Sequence, residues 1–150
     1  MPSVSRLDAR LVVASACESA LSEMSGLPDE VVSIGTALLA SGSACAIASL
    51  WPVDDLATAL LMTRLYQEML GGKQRPPEAL RRAQLWLRDL TEEDERRFLE
   101  SHGALAREFA RRAQSDRREP GQREEGTRRA ASDRPYVHPE YWAPFVAVGV

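Results

Sequence analysis

At 150 residues with 44% hydrophobic side chains, the chain carries apolar material for one core and no clear second one, so the composition predicts a single domain. A formal net charge of −3, with Lys73 the sole lysine among mostly arginine bases, gives no whole-chain attraction to phosphate or anionic lipid and argues against nucleic acid as a partner. No apolar window approaches the ~18 residues that span a bilayer, the N-terminus lacks the pattern of a secretion signal, and the two cysteines, Cys17 and Cys45, sit in apolar surroundings, which together predict a soluble, cytoplasmic chain with no membrane contact.

The first element is a buried strand over Leu11–Ala16, continuously apolar or small as strands covered on both faces are. A loop follows through Ser22 and Ser25. From Pro28 to Ala40, the spacing of Val31, Ile34, Leu38 and Leu39 fits one helical face, with acids in the first turn and Gly42 just past the end. Ala44–Leu50 is a second continuously apolar strand. Strand, helix, strand over this span implies a parallel pair with a right-handed crossover, hence α/β. Trp51-Pro52 ends that strand. Asp54 and Asp55 open a helix carrying Leu56, Ala59, Leu60, Leu65 and Met69, which Gly71-Gly72 stops. A further helix starts at Pro76-Pro77-Glu78 with Leu80, Ala83, Leu87 and Leu90 on one side, and the helical pattern then runs from Thr91 through Ala113, with Thr91 and Asp94 as a capping arrangement.

Residues 115–135 differ. Six arginines stand against five acids with no Leu, Ile, Val or aromatic residue, so the stretch cannot bury enough apolar surface to offset ordering entropy and is predicted to be a flexible arginine-rich insertion. Its charges nearly cancel and it offers no ring for base stacking, which again disfavours nucleic acid. Aromatic and β-branched residues return with Tyr136, Tyr141, Trp142, Phe145, Val146 and Val148 and predict a closing strand.

Cys17 falls where the first strand ends and a loop begins. In open α/β sheets ligands bind beyond the carboxyl ends of the strands, where unpaired backbone N–H groups face a reacting atom, so this is a nucleophile's position. A buried structural thiol is the competing reading, since free cysteine is among the most buried residue types and Glu18 next door disfavours the thiolate. Cys45, in mid-strand, reads as a small buried hydrophobe. Asp54 and Asp55 either cap the following helix or line a pocket for a basic side chain. His102 reads as a solvated helical histidine, and His138 as the entrance to the last strand. Nothing in the pattern calls for a metal or a cofactor.

The order Leu11-Val12-Val13-Ala14-Ser15-Ala16-Cys17-Glu18-Ser19, then Ala44–Leu50 leading into Trp51-Pro52-Val53-Asp54-Asp55, then Pro77-Glu78-Ala79-Leu80-Arg81, then His138-Pro139-Glu140-Tyr141-Trp142-Ala143-Pro144-Phe145 resembles the CHAT domain. This caspase-like and separase-like family is often fused to tetratricopeptide repeats. The resemblance covers residues 9 to 150 apart from the arginine-rich insertion. It implies a caspase-like three-layer α-β-α fold with a mainly parallel sheet and a Cys/His dyad, and puts Cys17 at the nucleophile position. Some related peptidases use acidic pocket residues to cut after arginine or lysine, which is the substrate-binding role implied for Asp54 and Asp55. The family's histidine lies N-terminal to the cysteine, yet none of the sixteen residues before Cys17 is a histidine. The expectation is therefore the C-terminal part of the domain, incomplete at its N-terminal side. Its implied partners are a protein or peptide substrate and an N-terminal segment or tetratricopeptide-repeat region that supplies the histidine. The competing expectation is a non-catalytic remnant serving as an interaction module.

Overall fold

A computed structural model of the chain describes residues 8–14, 35–51, 53–108 and 133–149. In chain order these form β1 (Val12–Ala14), a helical stretch α1 at residues 35–40, β2 (Cys45–Ser49), α2 (Asp55–Leu70), α3 (Pro76–Asp89), α4 (Glu92–Ser101), a helical stretch α5 at residues 103–108, α6 (Pro139–Trp142) and β3 (Phe145–Gly149). The three strands make one sheet in the order β1-β2-β3. β2 is central and wholly buried, in keeping with its apolar run Cys45–Ala48, and Ser49 at its end is the one polar side chain.

β1 pairs with β2 in parallel, Val12 opposite Ala46 and Ala14 opposite Ala48, as the strand-helix-strand pattern predicts. Ala9 and Ser43 add an isolated parallel bridge below it. β3 runs antiparallel to β2, with Phe145 opposite Ser49 and Gly149 opposite Cys45, so the described sheet is mixed rather than mainly parallel. The reason lies in the chain's route. Residues 133–144 deliver it to the carboxyl end of β2, where the Leu50 N–H donates to the Pro144 carbonyl at 2.8 Å, and from there β3 can only run back toward the amino end.

Helices touch both faces of this sheet. α2 and α3 cover the face of Ile47, where Leu60, Leu61, Leu65, Leu80, Ala83 and Leu87 form the core together with Phe145. On the opposite face a Cβ built on Gly35 of α1 lies 3.3 Å from Val148 Cγ2. On α3 the residues read as inward, Leu80, Ala83 and Leu87, are buried, as is Leu90 at its C-cap, and Ala79 joins them. The inward side of α2 is rotated: Ala57, Leu60, Leu61 and Leu65 are buried, and the side chains of Tyr66 and Leu70 face solvent. An apolar majority around α2 leaves periodicity unable to choose among neighbouring stripes, and packing against α3 makes the choice.

Two helix ends have reasons of their own. After α2 the chain reverses at Lys73 (φ 52) rather than at a glycine, and Gly72 is needed for space, since a Cβ there would lie 2.7 Å from the Glu68 carbonyl. The single helix expected from Thr91 onward breaks at His102, whose φ of −116° and ψ of 57° close α4 while its carbonyl accepts from the Leu105 and Ala106 N–H groups that start α5. Thr91 caps α4 as predicted, accepting from the Asp94 N–H at 3.2 Å. At the end of the arginine-rich tract, the Asp133 carbonyl accepts from the Glu92 N–H, Pro135 is fully buried, and Arg134 lies 3.5 Å from Asp89. Arg88, which hydrogen-bonds the same carboxylate, holds Asp89 below the usual carboxylate range. The remainder of the tract expected at 115–135 lies outside the described residues. Among the described residues, no helix is long and apolar enough to cross a membrane.

Candidate functional site

Because β1 and β2 are parallel, their carboxyl ends share one rim of the sheet, and the turns between β2 and α2 and between α6 and β3 lie on the same rim. A ligand site in an open α/β sheet belongs there. β1 reaches this rim at Ala14, three residues before Cys17, and Cys17 itself lies outside the described residues. Among the described residues β1 pairs with β2 alone.

Asp54 and Asp55 follow β2 on this rim, and both are exposed. Asp54 is the N-cap of α2: with extended backbone (φ −62°, ψ 132°) its Oδ1 accepts from the Ala57 N–H at 2.8 Å. The cap engages one carboxylate oxygen and sits where the helix dipole favours negative charge. Asp54→Ala is expected to destabilise the fold by about 1 kcal/mol in urea unfolding, and Asp54→Asn, which still caps, to retain most of that stability. Asp55 occupies the first turn of α2.

The wall opposite is built by the closing motif. The Trp51 indole N–H donates to the Glu140 carbonyl at 3.3 Å, and the Trp142 indole N–H donates to the Val137 carbonyl at 3.3 Å. Gln84 reaches from α3 to donate to the Phe145 carbonyl at 2.9 Å, fixing the start of β3. Both indoles thus act as walls that tie turns together. His138 precedes α6, and its ring caps that helix, accepting from the Glu140 N–H at 3.4 Å; the strand that follows α6, β3, lies two positions from β1, roughly 10 Å at the usual strand spacing.

His102 is elsewhere. Its ring stacks on Phe98 with centroids 4.2 Å apart, and its Nε2 is 3.0 Å from Gln67 Nε2, near the far end of α2. Gln67 lies twelve residues past the start of α2, on the order of 18 Å from the rim at helical rise. The exposed setting read from its charged neighbours gives way to a stacked one, because the break at residue 102 turns the ring back onto Phe98. An open groove of ≈ 530 Å³ between α3 and α4, lined by Trp86, Asp89, Leu90, Arg97 and Phe98, likewise involves none of the rim residues.

Cys45 is the cysteine at the start of β2, fully buried, and burial pushes its thiol up from the ordinary range. A buried thiol held neutral is a poor nucleophile, in keeping with Cys45 as a small buried hydrophobe. Among the described residues, no group of three histidine, cysteine or acidic side chains converges to hold a metal.

The model of the CHAT domain family matches residues 3–150, nearly the whole chain, and the chain belongs to that family, whose domain is related to caspase-like peptidases. No curated protein and no solved structure gives a match.

Proposed function

We propose that this chain is the C-terminal portion of a CHAT-type cysteine endopeptidase, built as a caspase-like three-layer domain, with Cys17 as nucleophile and the dyad histidine on a segment outside this chain. The observation that carries the reading is the end of β1 on the carboxyl rim three residues before Cys17, in a chain matched by the family over 3–150. The Cys17 thiolate attacks the peptide carbonyl, backbone N–H groups beyond the strand receive the oxyanion, and the histidine that took the thiol proton returns it to the leaving amine. Water then releases the acyl group from sulfur.

The edge of β1 away from β2, unpaired among the described residues, offers a place for the missing segment, because a strand laid there would end on the rim that β1 reaches at Ala14. An N-terminal segment or a tetratricopeptide-repeat region carries that strand. Asp54 and Asp55 draw a basic side chain of a protein or peptide substrate to the rim. The setting is cytoplasmic, in keeping with the free thiol of Cys45. Asp54→Asn tests the specificity role apart from the cap: cleavage after arginine or lysine should fall relative to cleavage after an uncharged residue, with stability little changed.

A second reading is favoured by the distance of both histidines from β1: a non-catalytic CHAT remnant that serves as an interaction module. A thiol-reactive peptide probe separates the two. The chain produced with its upstream region should be labelled at Cys17 at least about tenfold faster than free cysteine, as an activated thiolate requires. Labelling no faster than free cysteine removes the enzyme reading and leaves the module.

A further inference from the structure

The last strand of a sheet has backbone groups left to pair, and among the described residues β3 is bonded to β2 alone. Which of its groups face outward follows from the ladder. The Leu50 N–H donates to the Pro144 carbonyl, and hydrogen-bonded positions alternate along an antiparallel pair. Val146 and Val148 therefore bond to Ala48 and Ala46 of β2, while the N–H and C=O groups of Phe145 and Ala147 point away from it. The Phe145 carbonyl accepts from Gln84, as a carbonyl on the outer side can. The N–H and C=O of Ala147 have no partner among the described residues. The usual guards of an edge are missing from this strand: Phe145-Val146-Ala147-Val148-Gly149 carries no charge and no proline, and Val146, Ala147 and Val148 are only half-buried.

We infer that the outer edge of β3 is the pairing surface for a second copy of this chain, the two β3 strands running antiparallel about a two-fold axis at Ala147. In that register the strand is its own complement. Each Ala147 N–H donates to the Ala147 carbonyl of the other copy, Phe145 comes opposite Gly149, and Val146 opposite Val148 makes two β-branched cross-strand pairs on one face. With no charge in the strand, nothing repels an identical one. A two-fold contact uses the same surface on both copies and so stops at the dimer. The inference is independent of the role proposed for Cys17.

Two measurements on the full chain test it. Sedimentation equilibrium should show monomer and dimer and nothing larger, with a dissociation constant between about 1 μM and 1 mM, as befits a small contact. Hydrogen exchange read by NMR then locates the contact without any substitution. Raising the concentration from well below to well above that constant should slow exchange of the Ala147 N–H about fivefold or more, and leave the Val146 and Val148 N–H groups, already bonded to β2, unchanged. Ala147→Pro removes an N–H that β2 does not use and should raise the dissociation constant about tenfold or more in a chain still folded by its urea midpoint, whereas Val146→Pro breaks a bond to Ala48 and should lower stability. A chain monomeric at about 1 mM, an assembly that grows past the dimer, or an Ala147 N–H whose exchange ignores concentration overturns the inference. A folded Ala147→Pro variant that dimerises as well as the unaltered chain overturns it too, and if that variant does not fold, exchange at Ala147 in the unaltered chain decides.

Discussion

Cys17→Ala, introduced into the chain produced together with its upstream region, is expected to lower peptide cleavage by about 10⁴-fold or more, since a nucleophile's removal deletes the covalent route and leaves only binding and oxyanion contacts. Cys45→Ala is the matched control. That thiol lies fully buried in β2 with its proton held on by burial, so its loss should lower stability and leave kcat unchanged. The comparison is decisive because the chain contains these two cysteines and no others. Equal losses of cleavage in the two variants, each still folded by its unfolding midpoint, would remove Cys17 from the chemistry. Cleavage by the single chain without any upstream segment would instead place the base among this chain's own residues, against the geometry of His102 and His138 described above.

The largest effect on stability is expected at Gly149. It closes β3 opposite Cys45 with φ +97°, a conformation that L side chains rarely adopt. Space is short as well: an added Cβ would collide with the Ala44 carbonyl and lie 2.9 Å from Leu39 Cδ2. Ala44 leads into the buried central strand, so neither the backbone nor the sheet register has room to yield. Gly149→Ala therefore combines backbone strain with overpacking and should cost on the order of 3 kcal/mol, a large share of the ~5–15 kcal/mol that stabilises an ordinary domain. Urea unfolding should show a lower midpoint with an unchanged slope. Gly103→Ala provides the contrast, because a Cβ there meets only the far end of the Arg107 side chain, at 3.4 Å. Its effect should stay within about 0.5 kcal/mol. Similar losses at the two glycines would show that the crowding at Gly149 is relieved by local movement.

Local chemistry made much of the architecture legible in advance. The apolar run Cys45–Ala48, set between turn signals, reads as a buried central strand, the proline-acid start and leucine spacing of α3 specify its start and inward face, and Asp54 and Thr91 announce helix starts because their side chains satisfy the first free N–H groups. The motif order also disclosed the CHAT family, which the match over 3–150 establishes. What escaped the sequence reading depends on contacts between distant residues. The closing motif Tyr136–Val148 shows strand composition throughout, yet Pro139–Trp142 is helical, since Pro at its first position and the His138 cap outweigh aromatic propensity over so short a span. The break at His102 is foreshadowed only by Gly103, and stacking on Phe98 completes it.

By itself, then, the order of residues determined β2, the helices α2, α3 and α4 with their starts, and the family to which the chain belongs, because those properties depend on spacing and caps a few residues apart. Only the tertiary structure decided that β3 runs antiparallel, that α2 turns Ala57 and Leu61 inward, and that Ser49 ends β2 with a buried, unpartnered hydroxyl. Strand direction and buried-group satisfaction are set by which elements meet across the sheet, and no local pattern along the chain encodes that meeting.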